Sequence, residues 1–143
     1  MTAKEYMNRA YRLDQRINAK LEQLKRLKSL SQRVTVSYGA EAVSRSRNVD
    51  TMADTVIRIT EAENALNDQI NKLLEVKKEL RETIDLVASA DCRTLLEFRY
   101  LGMKRWDDIC GLMEMSRSNV FRLHSTALSM VETVLATKRK LTQ

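Results

Sequence analysis

Residues 52–87 read MADTVIRITEAENALNDQINKLLEVKKELRETIDLV. Stepping through them four and three residues at a time lands on Met52, Val56, Ile59, Glu63, Leu66, Ile70, Leu73, Lys77, Leu80, Ile84 and Val87, and nine of these eleven are apolar. Two apolar residues per seven is the repeat of a helix that buries one narrow seam against another helix. Glu63 and Lys77 interrupt the seam, as polar residues do where they set register at some cost in stability. Just upstream, Asp50 or Thr51 is expected to cap the helix through its side-chain oxygen.

The partner for this seam lies earlier in the chain. From about Ala3 to Val36 the apolar positions are Tyr6, Ala10, Leu13, Ile17, Leu21, Leu24, Leu27, Leu30 and Val34, with Lys, Arg, Glu, Gln and Asn between them. Steps of three and four put them on one helical face. Such a helix runs about 50 Å. Residues 37–50, SYGAEAVSRSRNVD, lose the pattern and read as a connection with a basic tip at Arg45 and Arg47. Two helices of similar length across a modest connection predict a long antiparallel hairpin, coiled-coil-like, over residues 1–88. A two-helix hairpin has little core of its own, so its burial need predicts a homodimer built as a four-helix arrangement.

Composition agrees with an all-α protein. The 143 residues include no proline and three glycines, so few helix breakers are present. No apolar run approaches the roughly 18 residues that would predict a membrane span. The opening MTAKEYMNRAYRLD lacks the apolar stretch of a signal peptide, so a cytoplasmic protein is expected. Cys92 and Cys110 form no C-x-x-C pair, and one histidine cannot complete a metal site with them. Both are expected to be reduced thiols, Cys110 in a core, with no metal and no cofactor. The net charge of +6 divides into +6 over residues 1–50, −3 over 51–90 and +3 over 91–143. A basic C-terminal segment suits a polyanion, but charge taken alone favours a merely solvated surface.

After the hairpin the pattern changes. Ser89 or Asp91 can cap a helix running through Tyr100, and Gly102 then supplies a break. A short helix follows (RWDDICGLM), with Asp107 and Asp108 in its first turn, where the helix dipole favours carboxylates. Ser116 can cap a third helix that ends in Lys138, Arg139 and Lys140. Three short helices within about 40 residues suit a helix-turn-helix, in which two helices hold the third against the major groove. On that reading Trp106, Ile109, Met113, Met115, Val120, Leu123 and Ala127 pack inward. Arg117, Ser118, Asn119, Phe121 and Arg122 then face outward.

These residues also carry a resemblance. RYLGMKRWDDICGLMEMSRSNVFRLHSTAL, residues 99–128, resembles region 4 of the sigma-70 family and its single-module relatives. The pattern is Arg-Tyr, an aromatic, Ile with a small residue, an apolar pair, Ser, Val and Ala-Leu. Here those are Arg99-Tyr100, Trp106, Ile109-Cys110, Leu112-Met113, Ser116, Val120 and Ala127-Leu128. The whole chain is similar to small phage-encoded proteins of Gram-positive bacteria, relatives of ArpU-type late-transcription regulators. The sequence departs from the pattern at Glu114, where the family has glycine, at Arg105, where it has Ser or Thr, and at His124, where it has a core leucine.

The resemblance implies a DNA-binding domain over residues 89–143 and a transcription regulator that binds double-stranded DNA and also touches RNA polymerase. Arg pairs with guanine edges or phosphates and Asn with adenine edges, so Arg117, Ser118, Asn119, Phe121 and Arg122 are the candidate DNA contacts. Phe121 stays open between touching a thymine methyl and packing inward. Trp106 is expected in the core, His124 in a structural role, and Met103, Met113, Met115 and Met130 in packing. There is no Gly-rich phosphate loop and no nucleophile beside a base, so no catalytic residue is expected and the protein reads as a non-enzyme. Two other functions fit the same pattern: a phage DNA-packaging accessory protein, distinguished by large rings, and an interaction module whose hairpin binds a partner protein, distinguished by absent DNA affinity.

Overall fold

A computed structural model describes the backbone of residues 1–40 and 45–142 and the side chains of residues 1–33 and 51–142. The protein is all-α, with no strand among the described residues. The helices are α1 (Ala3–Met7), α2 (Arg9–Ala40), α3 (Arg45–Asp85), α4 (Ala90–Leu96), α5 (Trp106–Met113) and α6 (Arg117–Leu141), with a π-helical turn at Glu97–Leu101 after α4. Two expectations for the connection are corrected. Ser37 to Ala40 continue α2, and Arg45, Arg47, Asp50 and Thr51 lie inside α3, so neither Asp50 nor Thr51 is a cap. Weak helix formers such as Ser, Asn and Gly lower helicity by under about 1 kcal/mol each, and no proline forces a stop. The rest of the expected connection, residues 41–44, lies outside the described residues.

The chain divides into two compact units. One combines residues 1–12 with 73–143, and the other spans residues 13–72. The division therefore runs through both long helices and not near residue 88.

In the 13–72 unit, α2 and α3 lie side by side, with Lys28 Nζ 3.5 Å from Glu63 Oε1. The seam interruption at Glu63 thus faces a cation from the other helix. Leu13, Ile17, Leu24 and Leu66 are buried, while Met52, Ile59 and Ile70 are half-buried and Val56 is exposed.

The other unit buries the rest of the seam. Leu73, Leu80 and Ile84 of α3, and Val87 just after it, are buried together with Tyr6, Met7 and Ala10 of the N-terminus. Tyr6 faces Thr83 and Arg9 faces Glu79, the descending register of an antiparallel pair. The N-terminal turn is secured by a capping box: Thr2 Oγ1 accepts from the Glu5 amide at 3.2 Å, and Glu5 Oε2 accepts from the Thr2 amide at 3.1 Å. Ala3 N–H donates to Glu132 Oε1 of α6 at 2.7 Å. A polar chain crosses the same unit. Lys138 Nζ donates to Thr83 Oγ1 at 2.8 Å, the Thr83 and Tyr6 hydroxyls lie 2.8 Å apart, and Tyr6 donates to Glu79 at 3.1 Å. Thr83 is buried, so these bonds satisfy a hydroxyl that would otherwise be costly to desolvate.

Candidate nucleic-acid interface

Ser89 and Ser116 cap α4 and α6 as their side chains predict: Ser89 Oγ accepts from Cys92 N at 3.3 Å and Ser116 Oγ from Asn119 N at 3.2 Å. Leu95, Ile109 and Val120 are fully buried and join α4, α5 and α6. Phe98, Trp106, Cys110, Met113, Met115 and Leu123 pack around them, and Ala127 is buried further along α6. Of the residues expected inward, Trp106, Ile109, Met113, Met115, Val120 and Leu123 belong to or pack against this core, and Ala127 is buried. Of the two thiols, Cys92 is the fully buried one and Cys110 is half-buried.

The turn between α5 and α6 is closed by backbone bonds. Met115 N–H reaches the Cys110 carbonyl at 3.1 Å and Glu114 N–H that of Gly111 at 3.3 Å, a Schellman pairing. Glu114 takes φ 53° and ψ 45°, the left-handed conformation that favours glycine. The break before α5 falls at Gly102, as expected. Gly102 has an ordinary φ of −85°, and Met103 carries the positive φ of 54°. A Cβ at Gly102 would meet the Phe98 carbonyl oxygen at 3.1 Å, a tight contact that glycine avoids. Arg105 precedes α5 without a side-chain capping bond, where Ser or Thr would supply one.

Arg117, Ser118, Asn119, Phe121 and Arg122 are all exposed on the first turns of α6. They do not form one cluster. Asn119 and Arg122 line a shallow groove with Met115, Leu123 and Thr126. Arg117 belongs to another concavity, lined by Arg99, Arg105, Trp106 and Asp107. Its Nη1 stands 3.8 Å from Asp107 Oδ1. Phe121 lies with its ring centre 5.1 Å from that of Trp106 and Arg117 5.6 Å above it, so it packs on the module while staying exposed. Arg99, Arg105 and Asp107 were not singled out in the sequence as parts of a site. The run Lys104-Arg105 was the available signal.

His124 sits behind this surface. Its Nε2 lies 2.6 Å from the Tyr100 hydroxyl and its ring meets Trp106 edge-on at 4.7 Å between centres. Burial pushes its pKa down from 6.5 to about 4, with Lys4 and Arg99 adding to the shift. Burial pushes Tyr100 up to about 12, against a smaller opposing effect of Arg99. The pair is therefore neutral at pH 7 and forms a polar bridge between the π-helical turn and α6. No cluster of His, Cys, Asp or Glu among the described residues is arranged to hold a metal ion. No helix among them is long and apolar enough to cross a membrane.

A family model described as "Protein of unknown function (DUF1492)" matches residues 36–132, more than half of the chain. No curated protein and no solved structure matches the chain significantly.

Proposed function

The chain belongs to the DUF1492 family, and for it we propose sequence-specific binding of double-stranded DNA by a transcription regulator of phage or prophage origin, acting in the bacterial cytoplasm. The start of α6 enters the major groove, and Asn119 and Arg122 meet base edges there. The observation that carries this reading is the division of α6. Val120, Leu123 and Ala127 are turned to the core, while five polar, basic and aromatic residues stand exposed on its capped first turns. The resemblance of residues 99–128 to sigma-70 region 4 supports the same reading and adds RNA polymerase as a partner. The protein binds and does not catalyse. Two copies pair through the hairpin, where Leu30 is 45% exposed and Val56 and Ile57 are 55% exposed, apolar surface that a second copy would cover.

Selection of bound sequences from a random duplex pool, repeated with purified bacterial RNA polymerase, tests this function. A defined motif is expected, and Arg122→Ala should weaken its binding by roughly 1–3 kcal/mol while relaxing one base position. Recovery of no motif, with no measurable duplex affinity, would leave the hairpin as a protein-binding module. Sedimentation of the free protein checks the pairing: a dimer is expected, and a monomer at all concentrations refutes it.

A further inference from the structure

Three arginines line the surface beside Trp106. Arg99, Arg105 and Arg117 line one surface concavity of about 260 Å³ with Trp106 and Asp107. Arg99 is held in place twice: Nη1 donates to the Lys104 carbonyl at 2.9 Å, and its guanidinium lies 4.6 Å from the centre of the Trp106 ring. Such stacking and bonding orient the planar donor fork before any ligand arrives. Arg105 stands exposed at the start of α5, and its side chain makes no capping bond. Arg117 is 3.8 Å from Asp107, and these two side chains are 68% and 72% exposed. An ion pair this exposed and this long is worth little, so an anion with several oxygens can displace it. Three cations against one carboxylate leave the concavity positive.

We propose that this concavity seats a backbone phosphate of the bound duplex on Arg99, Arg105 and Arg117, and that Asp107 is a built-in competitor that holds Arg117 until the phosphate replaces it. The proposal rests on the DNA-binding reading above and assigns Arg117 a different role within it. Guanidinium groups match phosphate oxygens bidentately, and phosphate contacts position a protein on the duplex while base contacts specify sequence. The geometry separates the two tasks. Arg117 and Phe121 turn toward Trp106, and Asn119 and Arg122 line the other groove. Asp107 weakens the phosphate contact by competing for Arg117, so its charge tunes affinity without touching sequence choice.

The test titrates the parent, Arg105→Ala, Asp107→Asn and Arg122→Ala against a selected duplex and a scrambled one at several salt concentrations, with thermal melting of each variant as a folding control. Arg105→Ala is expected to weaken both duplexes several-fold and equally, with the salt slope smaller by about one. Asp107→Asn is expected to tighten both equally. Arg122→Ala alone should lower the ratio between the duplexes. If Arg105→Ala and Asp107→Asn bind like the parent while Arg122→Ala loses discrimination, the phosphate seat is refuted and the DNA reading stands. If Arg105→Ala changes the ratio, Arg105 reads bases and the seat is again refuted. A parent that binds neither duplex refutes both readings. Arg105 contributes no capping bond to α5, so its alanine variant keeps the test decisive should Asp107→Asn fold poorly.

Discussion

At the scale of single residues, the backbone of Glu114 and the imidazole of His124 offer the sharpest checks. A residue with a Cβ costs roughly 1 kcal/mol or more in the left-handed region, and glycine avoids that cost. Glu114→Gly should therefore raise stability by about 1 kcal/mol in urea denaturation. A neutral or negative effect would mean that the turn adopts another conformation in solution. His124 has its folded pKa near 4, below the 6.5 of a free histidine. The unfolded chain takes up the proton first, so this group's contribution is complete above about pH 6.5 and is lost progressively as pH falls toward 4. The comparison is with His124→Leu, which removes the imidazole alone. Across pH 7.5 to 4.5 the parent should lose more stability than that variant, and parallel curves would show that the imidazole is not desolvated.

Among the elements, the seam of α3 is uneven although its heptad pattern is regular. Leu80 and Ile84 are fully buried, and Val56 is 55% exposed. Truncation costs transfer free energy plus a cavity term only where neighbours close over the site. Leu80→Ala is accordingly expected to cost about 2–5 kcal/mol and Val56→Ala less than about 1 kcal/mol, read from denaturation midpoints. If the two costs are similar in the dilute monomer, the burial gradient is wrong. If Val56→Ala grows costly only as protein concentration rises, that residue is covered by a second copy. The C-terminal helices are regular in another way. Each serine cap appears where its sequence placed it, and the α6 alternation of buried and exposed residues follows its period.

For the whole molecule, the module containing α4 to α6 is not a contiguous stretch of chain. Residues 1–12 and the end of α3 belong to the same compact unit. The Ala3–Glu132 bond and the Lys138–Thr83–Tyr6 chain tie α6 to both segments. A fragment of residues 89–143 lacks Tyr6, Met7, Ala10, Leu80, Ile84 and Val87, all buried in that unit. It should show reduced helicity by circular dichroism and a broad, non-cooperative melt. A fragment that melts as sharply as the intact chain would show that the three-helix core suffices by itself.

What the sequence determined by itself is what depends on near neighbours along the chain. A helix repeats every 3.6 residues, so the seam, the inward and outward residues of α6 and the all-α class were readable from spacing. The serine caps were readable because a cap acts within three residues. The Thr2-x-x-Glu5 capping box was equally local and was open to the same reading. Tertiary structure alone decided which part of the seam is buried, because that depends on what packs across it. It also decided that Arg117 turns to Asp107 beside Arg99 and Arg105, and that His124 meets Tyr100. Those partners lie 10 to 24 residues apart in the chain and on different elements, so no periodicity links them, and only the packing of α4, α5 and α6 around Leu95, Ile109 and Val120 brings them together.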